Sequence, residues 1–224
     1  LRDGATAKYG SDAIAGVINI VLAKHVSSSL HTNIGMYSKR DGLNQKVSLY
    51  SGTEISDAGN VSATVSFKKR KATDRSGEHG SCLYFNCELV AENTYQTNDK
   101  REINANRNTF SIGDAQFDQI SAVVNGDYQI AQSKIYGFVT ASDRSNESAA
   151  FFRAPNESLN NPLLADGRAA YEDGFLPFIE AHIKDHSINL GFKQPILNNT
   201  ELDVSYTYGK NTIHYRTKNS LNAS

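Results

Sequence analysis

The chain shows no excess of either charge sign: 23 Lys and Arg stand against 24 Asp and Glu. A general nucleic-acid binder carries a basic stripe or patch, so this balance argues against that class. Long hydrophobic runs are missing too. No apolar stretch approaches the roughly 20 residues a membrane helix needs, which excludes a helical membrane protein. A β-barrel stays open, because strands that alternate lipid-facing and lumen-facing residues average to a polar composition. The 39% hydrophobic content therefore does not separate a soluble protein from a barrel, and pattern has to decide. Tryptophan is absent and methionine occurs once, leaving 11 Tyr and 10 Phe to carry the aromatic load. With four Pro and plentiful Gly, Ser, Asn and Thr, the chemistry is that of strands and turns rather than helices.

Catalytic signatures are lacking as well. There is no phosphate-cradling GxGxxG or GxxxxGK[ST], no GxSxG elbow and no HExxH. Carboxylates are scattered over polar faces and loops, so no enzymatic activity, cofactor or metal is expected. The two cysteines, Cys82 and Cys87, lie close together in CLYFNC. Such a pair in an otherwise cysteine-free chain suggests a small disulfide loop in an oxidising compartment. A metal site would want four ligands and has only His79 nearby, and a redox catalyst would prefer CxxC spacing.

What is present is alternation. Period-two patterning, the mark of strands with two unlike faces, recurs along the chain. Over residues 30–39, Leu30, Thr32, Ile34 and Met36 oppose His31, Asn33, Gly35 and Tyr37. Val47 and Leu49 oppose Lys46 and Ser48. Val61, Ala63, Val65 and Phe67 oppose Ser62, Thr64, Ser66 and Lys68. Ile120, Ala122, Val124, Tyr128 and Ile130 oppose Gln119, Ser121, Asn125, Asp127 and Gln129. His186, Ile188, Leu190 and Phe192 oppose Ser187, Asn189 and Lys193. Leu202, Val204, Tyr206 and Tyr208 oppose Glu201, Asp203, Ser205 and Thr207. A further strand is expected at 133–142. That makes about seven strands near the length that crosses an outer membrane at a tilt. Short links fall at 56–60, 130–134 and 195–200, with long polar stretches at about 71–117 and 146–180. Residues 39–44 are the exception, short where a long link is expected. Tight turns at one end and long loops at the other are what transmembrane barrels show.

The first 24 residues differ in texture, being rich in Gly and Ala before an apolar strand at 17–22. LRDG at Leu1–Gly4 and YGSDAIAGVINI at Tyr9–Ile20, followed by VLAK, resemble the C-terminal end of the plug domain of TonB-dependent outer-membrane receptors. Physically, Gly4 and Gly10 suit turns that need positive φ, Gly16 permits close backbone approach, and Val17, Ile18 and Ile20 suit a buried strand with Asn19 turned elsewhere. The resemblance implies an all-β chain in two parts. Residues 1–24 would close the plug, and 25–224 would form the first seven or so of an expected 22 strands of a transmembrane antiparallel β-barrel. It implies a plug motif at Arg2, Asp3, Gly4, Tyr9, Gly10, Ser11, Gly16 and Asn19, with Arg2 and Asp3 as plug–barrel contacts or, equally, solvated turn charges.

The chain opens at Leu1 without an initiator Met and stops at Ser224 inside a strand-and-loop pattern, so both ends read as cuts. By resemblance, the TonB box and most of the plug would lie upstream and about fifteen strands downstream. The expected partners are the TonB energising complex, reached through that missing segment, together with a small-molecule ligand and outer-membrane lipid, in a Gram-negative bacterium.

Other features weigh less. KKRK at 68–71 reads as a solvated charge cluster at the membrane rim before it reads as an anion site. His182 and His186 are four apart, which in a strand puts them about 13 Å from one another and not on one metal. FFRAP at 151–155 and FLPF at 175–178 put aromatics in an external loop, where they pack the loop on itself or touch a ligand. The three sequon-like triplets carry no meaning in a bacterial outer membrane. Three functions compete: an energised receptor importing a ferric siderophore or other scarce solute, a passive porin, and a soluble β-rich adhesin. The plug-like opening separates the first from the second, and the loop asymmetry with apolar outer faces separates both from the third.

Overall fold

Alternation gives a strand one apolar and one polar face, and seven segments of the chain use it to build a single antiparallel sheet. The computed structural model describes residues 21–92, 94–197 and 200–221. Its strands are β1 (Ser28–Gly35), β2 (Asn44–Ile55), β3 (Gly59–Arg70), β4 (Cys87–Ala91), β5 (Thr94–Thr97), β6 (Gln116–Ile130), β7 (Ser133–Ala149), β8 (Phe178–Leu197) and β9 (Thr200–Lys218). A helical turn, α1 (Lys100–Ile103), follows β5. The large sheet runs β1-β2-β3-β6-β7-β8-β9, each strand hydrogen-bonded to its neighbour in that order, while β4 and β5 form a separate hairpin. The fold is all-β, and the sheet is not closed: β1 and β9 each keep one free edge among the described residues.

Links between strands sort by end. At one end the connections are tight: the 3-10 turn Ser56–Ala58 joins β2 to β3, and a two-residue turn at 131–132 joins β6 to β7. Ala131 supplies the left-handed residue (φ 51°) that such hairpins use. At the other end lie residues 36–43, 71–115 and 150–177. The strand expected over 30–39 is shorter than its alternation, ending at Gly35. Beyond it the Tyr37 N–H bonds the Asp41 carbonyl and the Arg40 N–H bonds that of Tyr37, closing a turn. Gly42 belongs there because its φ is +63° and a Cβ would stand 2.6 Å from the Tyr37 ring and from Thr73.

The register turns alternation into two continuous surfaces. On one, Leu30, Leu49, Val65 and Ala122 form a row across four strands. Val124, Val139, Ile188 and Tyr208 form a second row, and Tyr128, Ile135, Phe192 and Val204 a third. These side chains are exposed: Leu30 is 65% accessible, Leu190 56% and Val204 57%. On the opposite surface Ser48, Ser66, Ser121 and Ser142 line up. Side chains there bond across strands, Ser48 to Ser66 and Thr140 to Ser187 at 2.7 Å each, with Asn189 donating to Thr207 at 2.7 Å. Among the described residues the sheet thus has no apolar interior. The buried hydrophobic cluster sits in the loops instead, at Leu83, Tyr84 and Ala154 with Ala105 and Phe152 against them.

Candidate functional site

The polar surface of the sheet holds two zones. Near the tight turns, residues 23–25 lie against it. Ser62 and Asn125 donate to the Ala23 carbonyl at 3.0 and 3.3 Å, and the Tyr50 hydroxyl donates to the His25 carbonyl at 2.7 Å. The Lys24 ammonium pairs with Asp127, which also takes Lys134 at 3.2 Å. Every one of these sheet residues lies on the polar face, so the strand alternation itself builds the cradle for this segment. Asp127 is nearly inaccessible, and two ammonium groups more than offset its charge. Toward the loops, the same face changes character and carries Lys46, Lys68, Arg70 and Arg144 around Gln119 and Phe117.

Beyond the sheet the two long links form one cap. Glu102, fully buried, organises it: its carboxylate accepts the backbone N–H groups of Leu83 and Tyr84 at 2.9 and 2.8 Å and pairs with Arg107. Asp99 caps α1 by accepting from the Arg101 N–H, which delivers Glu102 to this position. Arg107 lies over the Tyr95 ring, 3.6 Å from its centre, and donates to the Ser81 carbonyl at 2.9 Å. The second loop joins through Asn156, whose amide donates to the Cys82 carbonyl at 2.9 Å, and through Asp173, which accepts from the Tyr84 hydroxyl at 2.8 Å. Burial first, and then this carboxylate, push the Tyr84 phenol up to about 12. His79 stacks on Phe110 and meets the edge of Phe152. Burial and the Arg107 charge hold its imidazole below the ordinary histidine value.

Cys82 and Cys87 are joined by a disulfide in this cap, Cα atoms 5.8 Å apart. Together with Glu102 they form a close group of metal-ligand types, but both sulfurs are engaged with each other. Of the aromatic runs, Phe152 and Phe175 pack within the loop, Phe175 against Tyr171, while Phe151 is 73% exposed. KKRK does not act as one cluster. Lys68 and Arg70 lie on the polar face, whereas Lys69 turns to the other and pairs with Asp118 at 3.0 Å. His182 faces His214 across the β8–β9 ladder, and His186 faces Lys210. Arg2, Asp3, Gly4, Tyr9, Gly10, Ser11, Gly16 and Asn19 lie outside the described residues. Glu102 and Arg107 carried no sequence signal; a lone acid and a lone base in a polar stretch look like solvated charges until the fold buries them.

On the apolar face a charged fringe lies between the apolar rows and the loops. Besides Lys69 with Asp118, it pairs Lys184 with Asp143 at 3.8 Å and Lys218 with Glu147 and Glu180 at 3.0 and 2.7 Å. On β6 the apolar run from Ile120 to Ile130 is about 33 Å along the strand, and at a tilt of about 40° it rises about 25 Å. No protein-family model matches the chain, and no significant match was found among curated proteins or solved structures.

Proposed function

We propose that this chain is part of the wall of an outer-membrane β-barrel, in a TonB-dependent receptor that actively imports a scarce small molecule. The observation that carries the reading is the inverted polarity of the sheet. Its apolar face is bare, and its polar face is hydrogen-bonded to another segment of the same chain. A water-soluble sheet does the reverse, covering the apolar face and wetting the polar one. In a barrel, lipid supplies the missing cover and the polar face lines a lumen. The segregated loops and the charged fringe at one border of the apolar band support the same orientation, with the cap outside the cell. Closure requires further strands, because two free edges cannot persist in hydrocarbon.

Energised import, as opposed to passive passage, rests on the plug-like residues 1–24 and on residues 23–25 held against the polar face. A ferric siderophore or another iron chelate is the first substrate class to try, with vitamin, haem and oligosaccharide after it. The test is fractionation and uptake in cells carrying the intact polypeptide. Recovery in the outer membrane, with accumulation lost when the TonB complex or the proton gradient is removed, supports the reading. Recovery in a soluble fraction overturns it. Uptake indifferent to the gradient replaces it with a passive barrel.

A further inference from the structure

The polar face is zoned by charge. Near the turns its ions are paired: Lys24 and Lys134 with Asp127, and Lys193 with Glu201 and Asp203. Nearer the loops a row of cations is not. The register sets Lys46 beside Lys68, Lys68 beside Gln119, and Gln119 beside Arg144, one row across β2, β3, β6 and β7. Three strand spacings of about 4.8 Å make that row about 14 Å wide. Among the described residues none of its three cations has a carboxylate partner within ion-pair distance.

One turn of the pleat nearer the loops, Arg70 and Phe117 sit side by side on the same face. The guanidinium carbons of Arg70 and Arg144 lie 4.9 and 4.6 Å from the Phe117 ring centre. Arg70 is already engaged, bonding the Ala115 carbonyl at 3.0 and 3.2 Å and standing 3.7 Å from Asp114. Arg144 is not: its Nε is buried and, among the described residues, has no hydrogen-bond partner. A buried donor without an acceptor is destabilising, and an oriented guanidinium fork with nothing to hold fits an oxyanion.

We propose that this row is a binding wall for a small solute bearing two or more oxyanion groups, carboxylates or phosphates, entering from the loop side. The inference rests on the lumen reading of the polar face and gives the substrate its chemistry. Width sets the number of groups, since one carboxylate reaches one or two of the cations and a multivalent anion reaches all three. Among the described residues, the segment that lies against this face does not occupy the position. Residues 23–25 meet Ser62, Asn125 and Asp127, and Lys68 is six residues farther along β3, about 20 Å away.

The experiment uses the intact polypeptide in detergent micelles and equilibrium dialysis against labelled citrate, labelled pyrophosphate and neutral maltotriose. Saturable binding of either anion, weakening with salt and absent for the neutral sugar, is expected; which anion binds separates carboxylate from phosphate. Lys68→Gln with Arg144→Gln is expected to weaken binding about tenfold or more, while Lys68→Arg with Arg144→Lys retains most of it. Heat-modifiable migration on gels checks that each variant is folded. Binding of neither anion overturns the proposal, as does binding unchanged by the charge-removing pair. Loss of folding in that pair, with no anion bound by the parent, also overturns it and assigns the row to contacts within the chain. Dialysis needs no energy source, so anion binding without TonB-dependent uptake leaves the row standing and removes the transport reading, and the converse does the opposite.

Discussion

Val123 and Val124 are identical side chains on opposite faces of β6, which makes them a matched pair for testing the proposal that the apolar face meets lipid. Val124 lies near mid-height of the apolar band, 44% exposed, between Ala63 and Val139 in the register. Val123 points the other way, between Thr64 and Thr140. An arginine on the lipid face of a barrel near the midplane costs about 2–4 kcal/mol. At about 1.4 kcal/mol per decade, that is a roughly 30- to 1,000-fold loss in the folded-to-unfolded ratio. On the polar face the same guanidinium meets hydroxyls and water, so Val123→Arg is expected to cost less than about 1 kcal/mol. The assay is urea unfolding of the intact polypeptide in phospholipid vesicles, followed by far-ultraviolet circular dichroism, with the slopes compared as a check on the denatured state. Equal losses for the two variants, or a larger loss for Val123→Arg, would refute the assignment of faces.

The cap yields three further expectations. Glu102→Ala removes the acceptor for two backbone N–H groups and the partner of a half-buried arginine, a loss of about 3–5 kcal/mol confined to the cap. Hydrogen exchange should rise at Leu83 and Tyr84 and stay unchanged in β6–β8; unchanged exchange at both amides would remove Glu102 from its organising role. Replacing Cys82 and Cys87 by serine opens a short loop, for which chain entropy gives about 2 kcal/mol. Faster proteolysis within residues 82–107 and 150–177 is the expected readout, and identical digestion kinetics would contradict it. His79 has a folded pKa below its ordinary 6.5, so the unfolded cap binds the extra proton first. Cap stability is then whole above about 6.5 and declines as pH falls from there toward the folded value. Proteolysis of the cap should quicken across that window in the parent and not in His79→Phe.

Much of the sheet was legible because period two survives in the residues that line each face. Ile120 to Ile130 and Leu202 to Tyr208 alternate so cleanly that strand and face follow together. The extents were less visible. β8 and β9 run 20 and 19 residues, well past the segments at 186–193 and 202–208 that alternation marks. Beyond His186 and Lys210 the pattern reverses: Lys184, His182 and Glu180 continue the apolar face, while Ile183, Ala181 and Ile179, with Ile213 and Tyr215 across the ladder, continue the polar one. The period thus breaks phase where a strand leaves the apolar band. The cap was invisible for a different reason. Its contacts join Glu102 to Leu83 and Tyr84, and Asn156 to Cys82, pairings with no period to detect. The basic row was hidden likewise: Lys46, Lys68 and Arg144 are far apart along the chain, and only the register sets them side by side.

Alternation also leaves undetermined which face is inside, and here the structure adds something a pattern cannot carry. An apolar face can be a core or a lipid contact, and the two differ only in what covers it. For this sheet the chain bonds its own backbone to Ser62, Asn125 and Tyr50 and places Lys24 on a nearly inaccessible Asp127. Such contacts satisfy a polar surface enclosed by protein; on a freely wetted face water would serve each group as well, and ordering residues 23–25 would gain little. Meanwhile Leu30, Leu190 and Val204, each more than half accessible, receive no cover from the described residues. Transferring that band from water to hydrocarbon gains about 25 cal/mol for each Å² of apolar surface, so the favourable surroundings of this sheet are apolar on one face and polar on the other. The basic row below the cap lies on that same polar face, and on the proposed barrel reading it is the part of the face left open toward the loops.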